Sequence, residues 1–152
     1  TYGMSVNGQV KNGVDRDKAI RFDQGMTERF PRLVEWKEEV RALGEATGIL
    51  VNAFGRRMRV NPERSYTQSP ALMGQGGTRD ILAEGLLRLP KEVLPMLRVV
   101  VHDEIVLSVP KDSVEDVARV VLEAMTFEHK GVPITWGQSR AGSNWEKCYT
   151  KD

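Results

Sequence analysis

His102, Asp103 and Glu104 stand between two runs of β-branched residues in VVVHDEIVLSVP, positions 99–110. The runs are too close in sequence for a crossover connection, so they predict a hairpin. Two-residue hairpin loops favour Gly and Asn, which reach positive φ cheaply. Asp tolerates that conformation and Glu suits it less, so an Asp-Glu tip is either a wider turn or a mildly strained one. Backbone ease does not explain these side chains. A hard divalent cation would: Mg2+ is held by one or two carboxylates together with waters and substrate phosphates. A two-metal site needs further ligands from elsewhere. His102, beside the acids, has the chemistry to hydrogen-bond a phosphate or a base edge. The plain reading is an exposed, solvated tip with His102 as a satisfied strand-end residue.

Two other groups carry chemistry. Arg56, Arg57, Arg59 and Arg64 crowd together against one nearby acid, Glu63. A guanidinium fork pairs two phosphate oxygens, although charge along a strand edge also guards it against aggregation. In GQGGTRD, positions 74–80, the glycines allow close backbone approach. Gln75 adds a donor and an acceptor that suit the degenerate minor groove. A tight helix-helix contact requiring small residues explains the same glycines. This is no phosphate-binding loop, because the Walker lysine is missing and no strand leads into it.

The elements that must position these groups are legible in outline. Asp15 caps a helix from about Arg16 to Arg29, and the glycine-rich residues 1–13 read as the end of a preceding element followed by a loop. Pro31 opens a second helix, ended by Gly48, with Leu33, Trp36, Val40 and Leu43 on one face. ILVNAFGRRMRVN predicts two short strands around Phe54-Gly55. A third helix is expected to start near Ser69-Pro70 and to end at Pro90. Strands at 97–101 and 105–109 enclose the acidic turn, a helix follows over about 113–125, and VPITWGQS adds a last strand. The class is α+β, with antiparallel strands and helices packed on one face.

The 152 residues are enough for a core. A net charge of +1 excludes a strongly basic nucleic-acid binder or an acidic tail. The single cysteine, Cys148, rules out an internal disulfide and fits a reducing cytoplasm. No apolar run reaches membrane-spanning length, so no membrane is expected as a partner. A chain opening on Thr1 is expected to be cut from a longer protein.

In order along the chain, YGMS (2–5), ERFPRLVEW (28–36), FGRRMRV (54–60), GQGGTRD (74–80), VHDEIVLSVP (101–110) and GSNWEKC near the end resemble DNA polymerases of the bacterial polymerase I family, family A, especially phage members. The resemblance implies an antiparallel palm-type sheet with helices packed on it, plus a helical fingers segment. It assigns residues 1–50 to partial fingers and 51–152 to the palm that carries the His-Asp-Glu hairpin. It implies that Asp103 binds the catalytic Mg2+ ions, two in the complete enzyme, with Glu104 beside it as a supporting catalytic and metal residue. His102 would lie near the primer terminus. Gln75 would touch the minor groove near the new base pair, and Arg56, with Arg57, would contact DNA. Tyr2 would face the template base and incoming nucleotide. Val100, the stretch TQSPALM and Gly77 depart from the residues many relatives place there.

The resemblance also implies nucleotidyl transfer from a dNTP to a primer 3′-hydroxyl on primer-template DNA, in a bacterial or phage-infected cytoplasm. The family's first metal-binding aspartate and the fingers Arg and Lys would lie upstream of Tyr2. The chain alone is therefore expected to be inactive until it meets the N-terminal remainder, on the same chain or as a split subunit. The alternative is a non-catalytic nucleic-acid-binding or assembly module that keeps the palm fold. A metal-dependent phosphodiesterase drawing on Asp80 and Glu84 is a third reading.

Overall fold

A computed structural model of the chain describes residues 5–137 and 140–149. The chain divides into two compact units, Thr1–Gly77 and Thr78–Asp152. In the first, α1 (Val6–Lys11) is capped by Ser5, whose Oγ accepts from the Gly8 amide at 3.2 Å. The sequence predicted a loop here, because its glycines outweigh a single-turn cap. Helix α2 (Arg16–Arg29) follows the expected cap, with Asp15 Oδ1 accepting from Lys18 N at 3.0 Å. Ala19 is its buried residue, while Phe22 and Phe30 stay exposed.

Helix α3 (Pro31–Thr47) opens on Pro31 and stops at Gly48, which takes φ 65°. Of the expected apolar face, Leu33 and Leu43 are exposed and Val40 is buried, with Trp36 packed against the same core. The row that faces inward is therefore Trp36, Val40 and Gly44, one residue every four. The core of this unit is Val40, Leu50, Met58 and Val60, covered by Trp36, Leu72 and Met73. Leu50 and Met58 come from an antiparallel hairpin of β1 (Ile49–Val51) and β2 (Arg57–Arg59), in which they pair directly.

Helix α4 (Ser65–Leu87) starts four residues before the expected Ser69, with Pro70 inside it. Proline has no N–H to give the Tyr66 carbonyl. Arg41 Nε of α3 takes that carbonyl at 3.0 Å instead, and Ser65 Oγ donates to the Arg41 carbonyl at 2.5 Å. Ser65 and Ser69, poor helix formers, share a hydrogen bond at 2.9 Å. A Cβ at Gly44 would collide with Ser69 Oγ, so only glycine lets α3 come this close.

In the second unit, Leu82 and Leu89 pack with Val93 and with Val121 and Met125 of α5 (Val114–Met125). Ile105 and Leu107 add to that core from β4 (Glu104–Leu107), which pairs antiparallel with β3 (Leu97–Val101). The register slips at Arg98, where β3 carries one extra residue. The expected strand in VPITWGQS is short, β6 (Val132–Ile134), and Gln138 and Ser139 lie outside the described residues. It pairs with β5 (Phe127–His129), which the sequence did not signal. Lys130 and Gly131 turn between them at φ 50° and 79°. Among the described residues the strands thus form three antiparallel hairpins, and the α+β class holds.

Candidate active site

The β3–β4 register pairs Val101 with Glu104, which leaves His102 and Asp103 as the two-residue tip. This corrects the expectation of an Asp-Glu tip. His102, not an acid, takes the left-handed position at φ 51°, a conformation His adopts more readily than a β-branched residue. Glu104 is the first residue of the strand and keeps a ladder partner. The hairpin is seated by Ile105 and Leu107 in the core, so its tip is held from below. Asp103 and His102 are exposed, and Glu104 is half-buried.

Both Glu104 carboxylate oxygens accept from the Tyr149 hydroxyl, which the C-terminal segment delivers. That bond, first among its causes, raises the Tyr149 phenol above its ordinary value, because ionising it would give up the proton it donates to Glu104. Trp145 Nε1 donates to the same hydroxyl at 3.4 Å and pulls the other way. Tyr149 went unremarked in the sequence. The only signal was its place directly after GSNWEKC, since its partner is 45 positions away.

The basic residues sit on the β1–β2 hairpin. Asn52 is buried and its Oδ1 accepts from the amides of Phe54 and Arg56, both at 3.0 Å, with Gly55 at φ 80°. That loop fixes where β2 begins. Met58 points to the core, so Arg57 and Arg59 share the opposite, exposed face, and Arg56 is exposed beside them. Gln75 is exposed on α4. Its neighbour Gly76 meets the same hairpin: a Cβ there would lie 2.7 Å from Met58 Sδ. Gly74 and Gly77 have open space where a side chain would be. The glycines therefore serve two purposes: Gly76 makes a close packing contact, while Gly74 and Gly77 leave the helix bare, Gly74 next to Gln75 and Gly77 on nearly the opposite side. Gln75 and the arginines belong to the first unit and the acidic tip to the second. Tyr2 lies outside the described residues.

Among the described residues no three His, Cys, Asp or Glu side chains gather to hold a metal. Asp80 is buried, and Glu84 Oε1 accepts from Arg88 Nε and Nη2 at 3.0 and 2.9 Å, which takes from the phosphodiesterase reading its two helix acids. What remains is a hard-oxygen donor set of one or two carboxylates at a rigid tip. That set suits Mg2+ as part of a shell completed by phosphates, waters and other acids. No helix among the described residues is long and apolar enough to cross a membrane.

Comparison with known proteins gives one answer. The chain is 26% identical over 153 aligned residues to a DNA polymerase of Mycobacterium phage D29, covering 99% of the chain and 25% of that protein. It is 30% identical over 137 residues to a thermostable DNA polymerase I of Thermus filiformis, covering 82% of the chain and 16% of the relative. The chain thus spans a quarter or less of the length of these curated relatives. Among solved structures, the POL domain of Pol1 from M. smegmatis, in complex with DNA primer-template and dNTP, superposes with a TM-score of 0.72 at 19% identity, over 88% of this chain and 26% of that one. At that identity the likeness establishes the fold. The model of DNA polymerase family A matches residues 1–147, and the chain belongs to that family.

Proposed function

We propose that the chain is the palm-bearing part of a DNA-directed DNA polymerase, with residues 1–50 contributing to the fingers and 51–152 to the palm. The observation that carries this is the exposed Asp103 at a two-residue tip seated on a packed core, in a chain of this family. Asp103 holds Mg2+ and Glu104 supports it. When bound, the metal stabilises the attacking and leaving oxygens of nucleotidyl transfer. His102 lies at the primer terminus, and Gln75 reads the minor groove from α4, beside the bare Gly74. Arg56 and Arg57 position the DNA through its phosphates, and Tyr2 meets the template base and incoming nucleotide. The solved relative's primer-template and dNTP supply the substrate class.

One carboxylate pair is too few for a two-metal displacement. The chain alone is therefore inert and acts with the upstream remainder of its polymerase. Primer extension by the polymerase that contains the chain tests this. Asp103→Ala is expected to abolish extension, while the isolated chain extends nothing. Extension that survives Asp103→Ala sinks the assignment. DNA binding without extension in the complete protein favours a non-catalytic module instead.

A further inference from the structure

The segment that leads to Tyr149 is a built structure. Asn144 Oδ1 accepts from Lys147 N at 2.9 Å and opens a 3₁₀ turn, Glu146–Cys148. The Cys148 amide returns to the Trp145 carbonyl and the Tyr149 amide to that of Glu146, each at 3.0 Å. A Cβ at Gly142 would lie 2.9 Å from Lys147 C and 3.0 Å from Cys148 N, so the chain closes on itself where no side chain fits. This turn presents the Tyr149 hydroxyl to both oxygens of Glu104, with Trp145 Nε1 donating to the same hydroxyl. A single O–H spanning both oxygens turns the carboxylate toward this segment. The neighbouring Asp103 at the tip is exposed.

We propose that Tyr149 is a positioning residue that holds the Glu104 carboxylate on this segment and so leaves Asp103 as the acid that meets the metal and the substrate phosphates. The inference rests on the polymerase reading. It splits two adjacent acids into unequal roles: Asp103 binds, and Glu104, turned aside by the phenol, bears on Asp103's surroundings without competing for the cation. Tyr149 is 59% exposed and Trp145 44%, so water can replace the missing bond and Tyr149→Phe leaves the fold intact.

The test uses Mn2+ as a probe on the chain itself, reading the carboxyl 13C resonances of Asp103 and Glu104. In the native chain Mn2+ broadens Asp103 more than Glu104. In Tyr149→Phe the Glu104 broadening rises to match. In the polymerase that contains the chain, Tyr149→Phe lowers turnover about tenfold, the scale of losing a partner that orients a metal-site carboxylate, while KM for the nucleotide stays put. On a Glu104→Ala background the same substitution costs nothing more, whereas a merely structural tyrosine would still cost. An unchanged broadening ratio, unchanged turnover or an undiminished cost on that background each overturns the proposal. Asp103→Ala run in parallel separates the two claims. If extension survives it the polymerase reading fails, and if extension is abolished while Tyr149→Phe changes nothing only the role of Tyr149 falls.

Discussion

Pro70 forfeits the amide that would bond the Tyr66 carbonyl, and Arg41 fills the gap from another helix. The guanidinium also lies over the Tyr66 ring at 3.8 Å and pairs with Glu38, so three weak interactions fix one side chain. Arg41→Ala is expected to destabilise the chain by about 1–2 kcal/mol, because it orphans the carbonyl and uncovers the ring. In a Pro70→Ala background, where an N–H is restored at position 70, that cost is expected to shrink by about 1 kcal/mol. Urea melts of the four variants measure both, and equal costs in the two backgrounds would show that the bond to the carbonyl contributes nothing. The sequence marked Pro70 as a helix start on sound local grounds. The rescuing residue is 25 positions from the carbonyl it serves, beyond any local rule.

Helices α3 and α4 and the β1–β2 hairpin owe their spacing to glycines whose roles differ with the face they occupy. Gly44 faces Ser69 with no room for a methyl, so Gly44→Ala is expected to cost about 1–3 kcal/mol through overpacking. Gly77 has open space, so Gly77→Ala is expected to stabilise the chain by up to about 1 kcal/mol through helix propensity. Thermal melts decide both. If Gln75 and the bare Gly74 beside it lie against DNA, Gly74→Ala should weaken primer-template binding while raising Tm, and a variant that gains both would argue that this glycine has no part in DNA binding. The elements themselves were legible where local chemistry suffices: Asp15, Pro31 and Gly48 marked their helix ends, and β3 was read at its observed limits. Strand β5 was not, because the three residues FEH are too few to signal a strand and become one through their partner β6.

At the scale of the molecule, two cores form in two units, the arginines and Gln75 in the first and the acidic tip in the second. The net charge of +1 gives DNA no bulk attraction, so the DNA binding proposed above rests on local arginines. The logarithmic salt dependence of primer-template binding is expected to fall in slope by about 0.9 for Arg57→Ala, the share of a single neutralised phosphate. Arg119→Ala serves as the control, since Arg119 already pairs with Asp116 at 2.7 Å. Equal slopes for the two variants would remove Arg57 from the DNA interface.

The sequence by itself determined the class, most helix limits, the hairpin around residue 102 and the family, because these rest on short-range rules and ordered motifs. Only the tertiary structure decided that His102 rather than an acid takes the left-handed turn, that Gly76 packs while Gly74 and Gly77 lie bare, and that Tyr149 takes hold of Glu104. The first depends on the register in which two strands pair and the others on which groups meet across the fold, and neither leaves a local pattern in the order of residues.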